Sequence, residues 1–511
     1  MAIKRFDILQ EAFMKYVSTR GSDAGTTFSE AVVKGLAPDG GLFVPEEDVC
    51  FSRDDLTEML PLTYTGLTAR IMSAYADDFT ADELLECAQK AYGDGKFPEI
   101  TVPVTTLDGS LSVMELWHGP TCAFKDMALQ MLPRLMVKAV EKCGEKKEIT
   151  ILTATSGDTG KAALEGFRDV PGIKVMVFFP DGGVSETQRL QMVTQEGSNV
   201  RVCAIKGNFD NAQTGVKRIF GDKAFAAELA ASGRMLSSAN SINWGRLLPQ
   251  IVYYFHTYLE LVRRGAVLFG DRINFCVPTG NFGDILACYY AKKAGLPVGK
   301  IICASNTNSV VSDFIRTGVY DKNRPFEITM SPAMDILVSS NLERLIHDAS
   351  GRNPEYVAGL MAKLSSEGAY TVDRATQNAV DADFASGSAT EAETMQTISE
   401  VYRGFGYLID PHTAVGVNVY GKYREASGDG TRTVCVSTAS PFKFNASVAE
   451  SLFGKEALRG VTEADIPGLL EQKTGEPVPK PLAGLFQKKI RFTDTVEVSD
   501  MKKKAEEFIY E

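Results

Sequence analysis

The chain has 511 residues, 44% hydrophobic and 23% charged, a balance that excludes disorder as the main state and excludes collagen-like and coiled-coil architectures. With 54 Lys+Arg against 65 Asp+Glu, the net charge of −11 argues against nucleic acid or an anionic membrane as a partner. Any phosphate the protein binds must therefore be held by a local device.

At roughly 150 residues per domain, the length suggests about three domains. The opening segment, Met1 to Asp7, has no apolar signal core, and no uninterrupted apolar run long enough to span a membrane follows it. Nine cysteines are scattered without a C-x-x-C pair, so neither a metal site nor a redox motif is expected. Cys276, Cys303 and Cys435 lie inside apolar strand-like runs and read as buried reduced thiols, which points to a cytoplasmic protein.

Residues 1–97 read as a mixed, mainly helical unit. Asp39-Gly40-Gly41 marks a turn before Leu42-Phe43-Val44-Pro45, and Thr80-Ala81-Asp82-Glu83 opens a helix with acidic residues in its first turn. Beyond it, short Val-, Ile- and Phe-rich runs at 149–154, 173–179, 200–205, 273–277, 301–304 and 433–437 alternate with amphipathic stretches such as 188–196 and 282–294. Runs with so little polar alternation suit parallel strands buried on both faces, and the rhythm implies a doubly wound α/β core in more than one lobe. Residues 335–400 read as mostly helical. A Pro-rich connector, Glu476 to Pro481, precedes a short terminal unit.

Ligands in open α/β sheets bind at the carboxyl ends of strands, so Gly-rich turns placed there carry the chemistry. Thr155-Ser156-Gly157-Asp158-Thr159-Gly160-Lys161 follows the first of these strands and offers free N–H groups, hydroxyls and a helix N-terminus to an anion. It fails as a nucleotide P-loop, since only two residues separate its glycines and Ala162 follows the lysine; Gly416 to Lys422 fails too, with Tyr423 next. A nucleotide hydrolase is therefore a remote reading. Pro278-Thr279-Gly280-Asn281-Phe282-Gly283-Asp284 follows the strand at 273–277 and suits a phosphate monoester; it is not the G-x-G-x-x-G of a dinucleotide site. Ser437-Thr438-Ala439-Ser440-Pro441 ends the last strand with hydroxyls, and is equally readable as a plain connection.

Lys125 stands in Ala123-Phe124-Lys125-Asp126-Met127-Ala128-Leu129. A lysine held among apolar side chains has a lowered pKa and becomes a candidate amine nucleophile. One embedded lysine, one phosphate cup and one strand-end hydroxyl together suit pyridoxal phosphate: the lysine to form the imine, the cup for the phosphate, the hydroxyl for the ring nitrogen.

With these residues in place, the sequence resembles the threonine synthase family, pyridoxal-phosphate enzymes of the tryptophan-synthase-β-like fold. The resemblance rests on Tyr16 to Gly21, His118 to Thr121 with Ala123 to Asp126, Thr155 to Gly160, Asn240 to Arg246, and Gly280 to Asp284, and it covers nearly the whole chain. Ala439-Ser440-Pro441 departs from the family's usual Ala-His-Pro. The resemblance implies an α/β protein with two doubly wound parallel-sheet lobes (fold type II) and a small, mainly helical N-terminal domain. The expected divisions are an N-terminal domain over 1–97, a first lobe over 98–240 carrying the cofactor lysine and substrate loop, a second over 241–450 carrying the phosphate cup, and an extension over 451–511.

The implied reaction converts O-phospho-L-homoserine and water to L-threonine and phosphate. Lys125 is then the catalytic and cofactor-binding lysine, with Gly280, Asn281, Phe282, Gly283, Asp284 and Thr438 also on the cofactor. Ser156, Gly157, Asp158, Thr159 and Arg246 are expected on the substrate, with Lys161 a further candidate for its phosphate. Asp158 reads equally as the cap of the following helix. His118 and His412 are candidates for proton transfer, although Asp410-Pro411-His412-Thr413 also reads as a helix start. Two alternatives stay open: another lyase of the same fold, such as a threonine/serine dehydratase, and a non-catalytic phosphometabolite-binding relative. The expected partner is a small molecule, and the oligomeric state, monomer or dimer, is left open.

Overall fold

Two parallel sheets organise the chain in the computed structural model, which describes residues 13–23, 25–93 and 95–511; the Met1–Asp7 segment lies outside the described residues. The strands are β1 (Tyr16–Ser18), β2 (Phe43–Pro45), β3 (Val104–Thr106), β4 (Leu111–Glu115), β5 (Glu148–Ala154), β6 (Ile173–Pro180), β7 (Val200–Lys206), β8 (Arg234–Ser237), β9 (Ile273–Pro278), β10 (Val298–Ser305), β11 (Val319–Asp321), β12 (Ala369–Thr371), β13 (Phe384–Ser388), β14 (Thr433–Ser437) and β15 (Thr495–Glu497). One sheet runs β13-β10-β9-β14-β4-β3 and the other β15-β7-β6-β5-β8. Every pairing in both is parallel except β3 with β4. Every apolar run read as a strand in the sequence is one here, with ends shifted by up to three residues.

The N-terminal unit pairs β1 with β2 and adds the helices Phe28–Lys34, Arg53–Met59, Tyr64–Met72 and Ala81–Tyr92. The helix expected at Thr80 begins there. Thr80 Oγ1 accepts from the Glu83 N–H at 3.2 Å, and the Glu83 carboxylate accepts from the Thr80 N–H at 2.8 Å.

The sheets do not divide at the expected lobe boundaries. β3, β4 and the Lys125 turn belong to the six-stranded sheet with β9, β10, β13 and β14, although they precede the whole of the other sheet in sequence. β15, from the terminal extension, pairs with β7 and closes the five-stranded sheet. The segment 335–400 is largely helical, as expected, but it also supplies β13, which pairs with β10. Apolar runs locate strands along the chain; which strands become neighbours is decided by packing.

A single helix, Trp244–Arg263, is buried on nearly every side, the condition of a helix that lies inside a core. Trp244, Tyr253, Tyr254 and Tyr258 have no exposed surface. Each such ring contributes a gross ~4–6 kcal/mol of transfer energy. This helix packs against the helices Lys125–Leu129 and Gly283–Lys293, which carry the two ends of the site described next. No helix among the described residues is long and apolar enough to cross a membrane.

Candidate active site

The turn after β4 and the turn after β14 run alongside each other. The Phe124 N–H donates to the Thr438 carbonyl at 2.8 Å, the Ser440 N–H donates to the Cys122 carbonyl at 3.1 Å, and Ala123 bridges to Ala439. Cys122 sits at φ 58°, a left-handed conformation that is costly for a side-chain-bearing residue. Asp126 is fully buried and holds this turn by accepting from the Thr121 N–H and hydroxyl, both at 2.8 Å. A Cβ on Gly119 would lie 2.6 Å from that carboxylate, so only glycine fits there.

Lys125 begins the helix Lys125–Leu129. Its ammonium lies 3.8 Å from the centroid of the Phe124 ring and has no hydrogen-bond partner among the described residues. Burial pushes it down to about 7; Asp158 and Asp284 pull it up, and Arg246 and Lys443 push it further down. These charges stand on the loops after β5 and β9, the turn after β14 and the buried helix, all near enough to act on the Lys125 amine.

In the loop after β5, Thr155 Oγ1 accepts from the N–H groups of Gly157 and Gly160, both at 2.9 Å. Gly157 is the N-cap of the helix Asp158–Gly166, and Thr155 supplies the side-chain oxygen to its first turn, the part weighed for Asp158. Asp158 is instead buried and accepts from the Lys443 ammonium at 2.7 Å and the Gln188 carboxamide at 2.8 Å. Burial alone would raise this carboxyl; Lys443 and then Lys125 outweigh it and hold it well below the usual carboxylate range. Gly157 stands at φ 133°, and a Cβ on it would lie 2.5 Å from the Gln188 carboxamide. The N–H groups of Ser156, Asp158 and Thr159 find no acceptor among the described residues, and they line the N-terminus of the helix.

Arg246, 4% exposed, donates to the Ala239 carbonyl at 2.8 Å and more loosely to Thr159 Oγ1 at 3.4 Å. Burial pushes it down to about 10. No carboxylate pairs with it among the described residues, so it retains donors for an incoming anion. Lys161 does not share that role. Its ammonium is committed to Glu165 at 3.1 Å and to the Gln195 carboxamide oxygen.

The turn after β9 leaves the N–H groups of Gly280, Asn281, Phe282, Gly283 and Asp284 without acceptors among the described residues. Its carbonyls are tied down from behind. Ser339 Oγ donates to Gly280 O at 2.8 Å, and Asn341 donates to Asn281 O through its backbone at 3.2 Å and its side chain at 2.9 Å. Phe282, at φ 61°, makes the reversal that starts the helix Gly283–Lys293 while burying its ring against Phe384. Of the two glycines, Gly280 is the confined one. A Cβ there would lie 2.4 Å from the Ala333 carbonyl oxygen, whereas at Gly283 the nearest atom is 3.5 Å away.

The Asp284 carboxyl accepts from the hydroxyls of Tyr253 at 2.5 Å and Tyr254 at 2.6 Å. Its second oxygen is buried without a partner, and burial raises its pKa against those two hydrogen bonds.

Thr438 is 5% exposed, and its hydroxyl has no partner among the described residues. The preceding Ser437 is committed, accepting from Trp117 Nε1 and Thr413 Oγ1, both at 3.0 Å. His118 Nε2 meets Glu115 at 2.6 Å and its ring stacks on Trp117. His412 is a structural residue. Its Nδ1 meets Asp410 at 2.7 Å, and its Nε2 accepts from the Ala333 N–H at 3.2 Å, which fixes the tautomer with the proton on Nδ1.

These features fit pyridoxal phosphate. Five consecutive free N–H groups at a helix start match a phosphate, an amine without a hydrogen bond matches an aldehyde carbon, and an unpartnered hydroxyl on a largely buried threonine matches a ring nitrogen. The sequence reading did not single out Lys443, Gln188, Tyr253 or Tyr254. For Lys443 the signal was available: Pro441-Phe442-Lys443-Phe444 embeds a lysine among apolar residues as Ala123-Phe124-Lys125 does.

Comparison with known proteins gives a concordant picture. The family model "Threonine synthase N terminus" matches residues 15–92, "Pyridoxal-phosphate dependent enzyme" matches 101–439, and "Threonine synthase, C-terminal" matches 413–509. A threonine synthase of Pseudomonas aeruginosa is 40% identical over 443 residues, covering 86% of this chain and 91% of that protein. Threonine synthase-like 1 of Homo sapiens is 39% identical over 472 residues; the match takes in 89% of this chain but only 63% of that longer relative. The crystal structure of PLP-bound threonine synthase from Brucella melitensis superposes with a TM-score of 0.84 at 37% identity, covering 97% of this chain and 98% of that one.

Proposed function

The chain belongs to the threonine synthase family of pyridoxal-phosphate-dependent enzymes, and from that premise we propose that it converts O-phospho-L-homoserine and water to L-threonine and phosphate. The observation that carries the proposal is the convergence, around the Lys125 amine, of a five-donor cup at 280–284 and a second set of free donors at 156–159 with Arg246. Two separate anion sites flanking one amine suit a phosphorylated cofactor together with a substrate that is itself doubly anionic.

Lys125 holds the cofactor through its amine, the N–H groups of Gly280, Asn281, Phe282, Gly283 and Asp284 hold its phosphate, and the Thr438 hydroxyl meets its ring nitrogen. The cofactor, when bound, supplies the electron sink for carbanion chemistry. On the substrate side, the N–H groups of Ser156, Asp158 and Thr159 receive the carboxylate. Gly157 permits the tight turn that aims them, and Arg246 binds the phosphate that leaves from Cγ. An amine that titrates near 7 is matched to moving protons in both directions at neutral pH. Once the substrate amine has taken its place, Lys125 would remove the proton from Cα and then one from Cβ as phosphate leaves from Cγ, and would return protons at Cγ and Cα, while water gives its hydroxyl to Cβ and its second proton to the released phosphate. Tyr253 and Tyr254 hold Asp284 and with it the start of the cup helix. Nine free cysteines, seven of them buried, support a reducing, cytoplasmic setting.

The test is product analysis on the purified chain with cofactor and phosphohomoserine. Threonine and phosphate are expected in equal amounts. Much more efficient release of a keto acid from serine or threonine would replace this reading with that of a dehydratase. Borohydride reduction followed by peptide mapping is expected to place the cofactor adduct on Lys125; an adduct on another lysine would overturn that assignment.

A further inference from the structure

A carboxylate at the start of an anion-binding loop works against the loop's own purpose, yet Asp158 stands at the first position of the helix whose N-terminus offers donors at 156–159. The structure places a countercharge on it from outside the loop. Lys443, in the 3₁₀ turn Pro441–Phe444 after β14, has no exposed side-chain surface. Its ammonium donates to Asp158 at 2.7 Å and to the Thr121 carbonyl at 3.0 Å. Gln188 donates to the same Asp158 oxygen, and Gln191 donates to the same Thr121 carbonyl at 3.2 Å. One buried ammonium therefore joins the turn after β14, the Lys125 turn and the loop after β5, elements that come from both sheets.

We propose that Lys443 is a positioning residue: it cancels the charge of Asp158, so that loop 156–159 meets an anionic substrate with N–H donors alone, and it keeps Asp158 from pairing with Lys125 instead. The inference rests on the reading of Lys125 as the cofactor lysine and of 156–159 as the substrate loop. The charged groups that act most strongly on Lys125 are Asp158 on the helix Asp158–Gly166, Arg246 on the buried helix, Asp284 on the cup helix and Lys443. Within that set the two partners act on Lys125 with opposite signs. Removing Lys443 takes away a positive neighbour and frees Asp158 to attract the Lys125 proton, so the amine becomes more basic. Removing the Asp158 charge takes away an anion and makes it less basic. A merely structural ion pair would loosen the site in both cases and shift the amine the same way twice.

The experiment follows Lys125 itself in the full chain freed of cofactor. Its rate of reductive methylation is measured against pH and read by peptide mass, in wild type, Lys443→Met, Asp158→Asn and the double variant. Lys443→Met is expected to raise the midpoint by about one pH unit, a tenfold gain in proton affinity. Asp158→Asn, which keeps its size and its Gln188 contact, is expected to lower the midpoint, and the double variant to return it close to wild type. Should Lys443→Met fail to fold, Asp158→Asn alone decides by the direction of its shift. Equal midpoints, or shifts of both single variants in one direction, overturn the proposal. A cofactor adduct found on another lysine would instead overturn the assignment of Lys125, and that outcome is read independently of these midpoints.

Discussion

Gly280→Ala tests the phosphate cup most directly, because the structure separates its two glycines. At Gly280 an added Cβ would fall 2.4 Å from the Ala333 carbonyl oxygen, about 1 Å short of ordinary van der Waals separation. That oxygen cannot swing aside as a side-chain end would. The Ala333 N–H is bonded to His412 Nε2 at 3.2 Å, and the cup is bound from behind by Ser339 and Asn341. The turn must therefore shift as a whole, taking its free N–H groups with it. Overpacking of this kind costs about 1–3 kcal/mol, or roughly a 5- to 150-fold loss of cofactor affinity when it falls on the bound state. Gly283→Ala is the control. Its Cβ would make ordinary contacts of 3.5 Å or more, at a helical position where alanine is favoured over glycine. The assay is titration of the cofactor-free variants with pyridoxal phosphate, followed by absorbance, beside thermal unfolding to show that the fold survives. Equal dissociation constants for Gly280→Ala and wild type, or a larger loss in Gly283→Ala, would show that the phosphate is held elsewhere.

Burial holds the Lys125 ammonium near 7 against about 10.4 in an unfolded chain, so between those values the unfolded state binds the extra proton and the cofactor-free protein gains stability as pH rises. Lys125 is half-buried, so the penalty is discounted, and Lys125→Met, free of it, is expected to be more stable by about 1–3 kcal/mol at pH 6, with the difference shrinking toward pH 10; unfolding midpoints across that range check it. Arg246→Met should weaken substrate through the loss of a charge-assisted contact worth about 1.5–3 kcal/mol, a rise of roughly 10- to 150-fold in KM. Inorganic phosphate is expected to compete weakly in wild type and to lose that effect in the variant. Thr438→Val removes a hydroxyl with no partner among the described residues, so stability without cofactor should not change. Turnover should fall roughly 5- to 150-fold, for about 1–3 kcal/mol of lost hydrogen bonding; wild-type turnover with cofactor saturating would show that Thr438 does not face the ring.

The sequence by itself determined the α/β class, the places of the main buried strands and the loops that carry the chemistry. Continuous apolar runs such as 273–277 and 433–437, each followed by a Gly- or Ser-rich turn, are local signals that survive folding unchanged. The embedded Lys125 was legible for the same reason. The tertiary structure decided everything that depends on one segment meeting another distant in the chain. It set β4 beside β14, brought β15 to β7, and gave Asp158 a buried ammonium from Lys443 in place of a capping role taken by Thr155. It also told apart two glycines that look alike in the sequence, since only the Ala333 carbonyl makes Gly280 irreplaceable. Hydrophobic periodicity records whether a residue is buried, but not what it is buried against. A charge such as that of Asp158 acquires its meaning from a partner whose position only the packed sheets can fix.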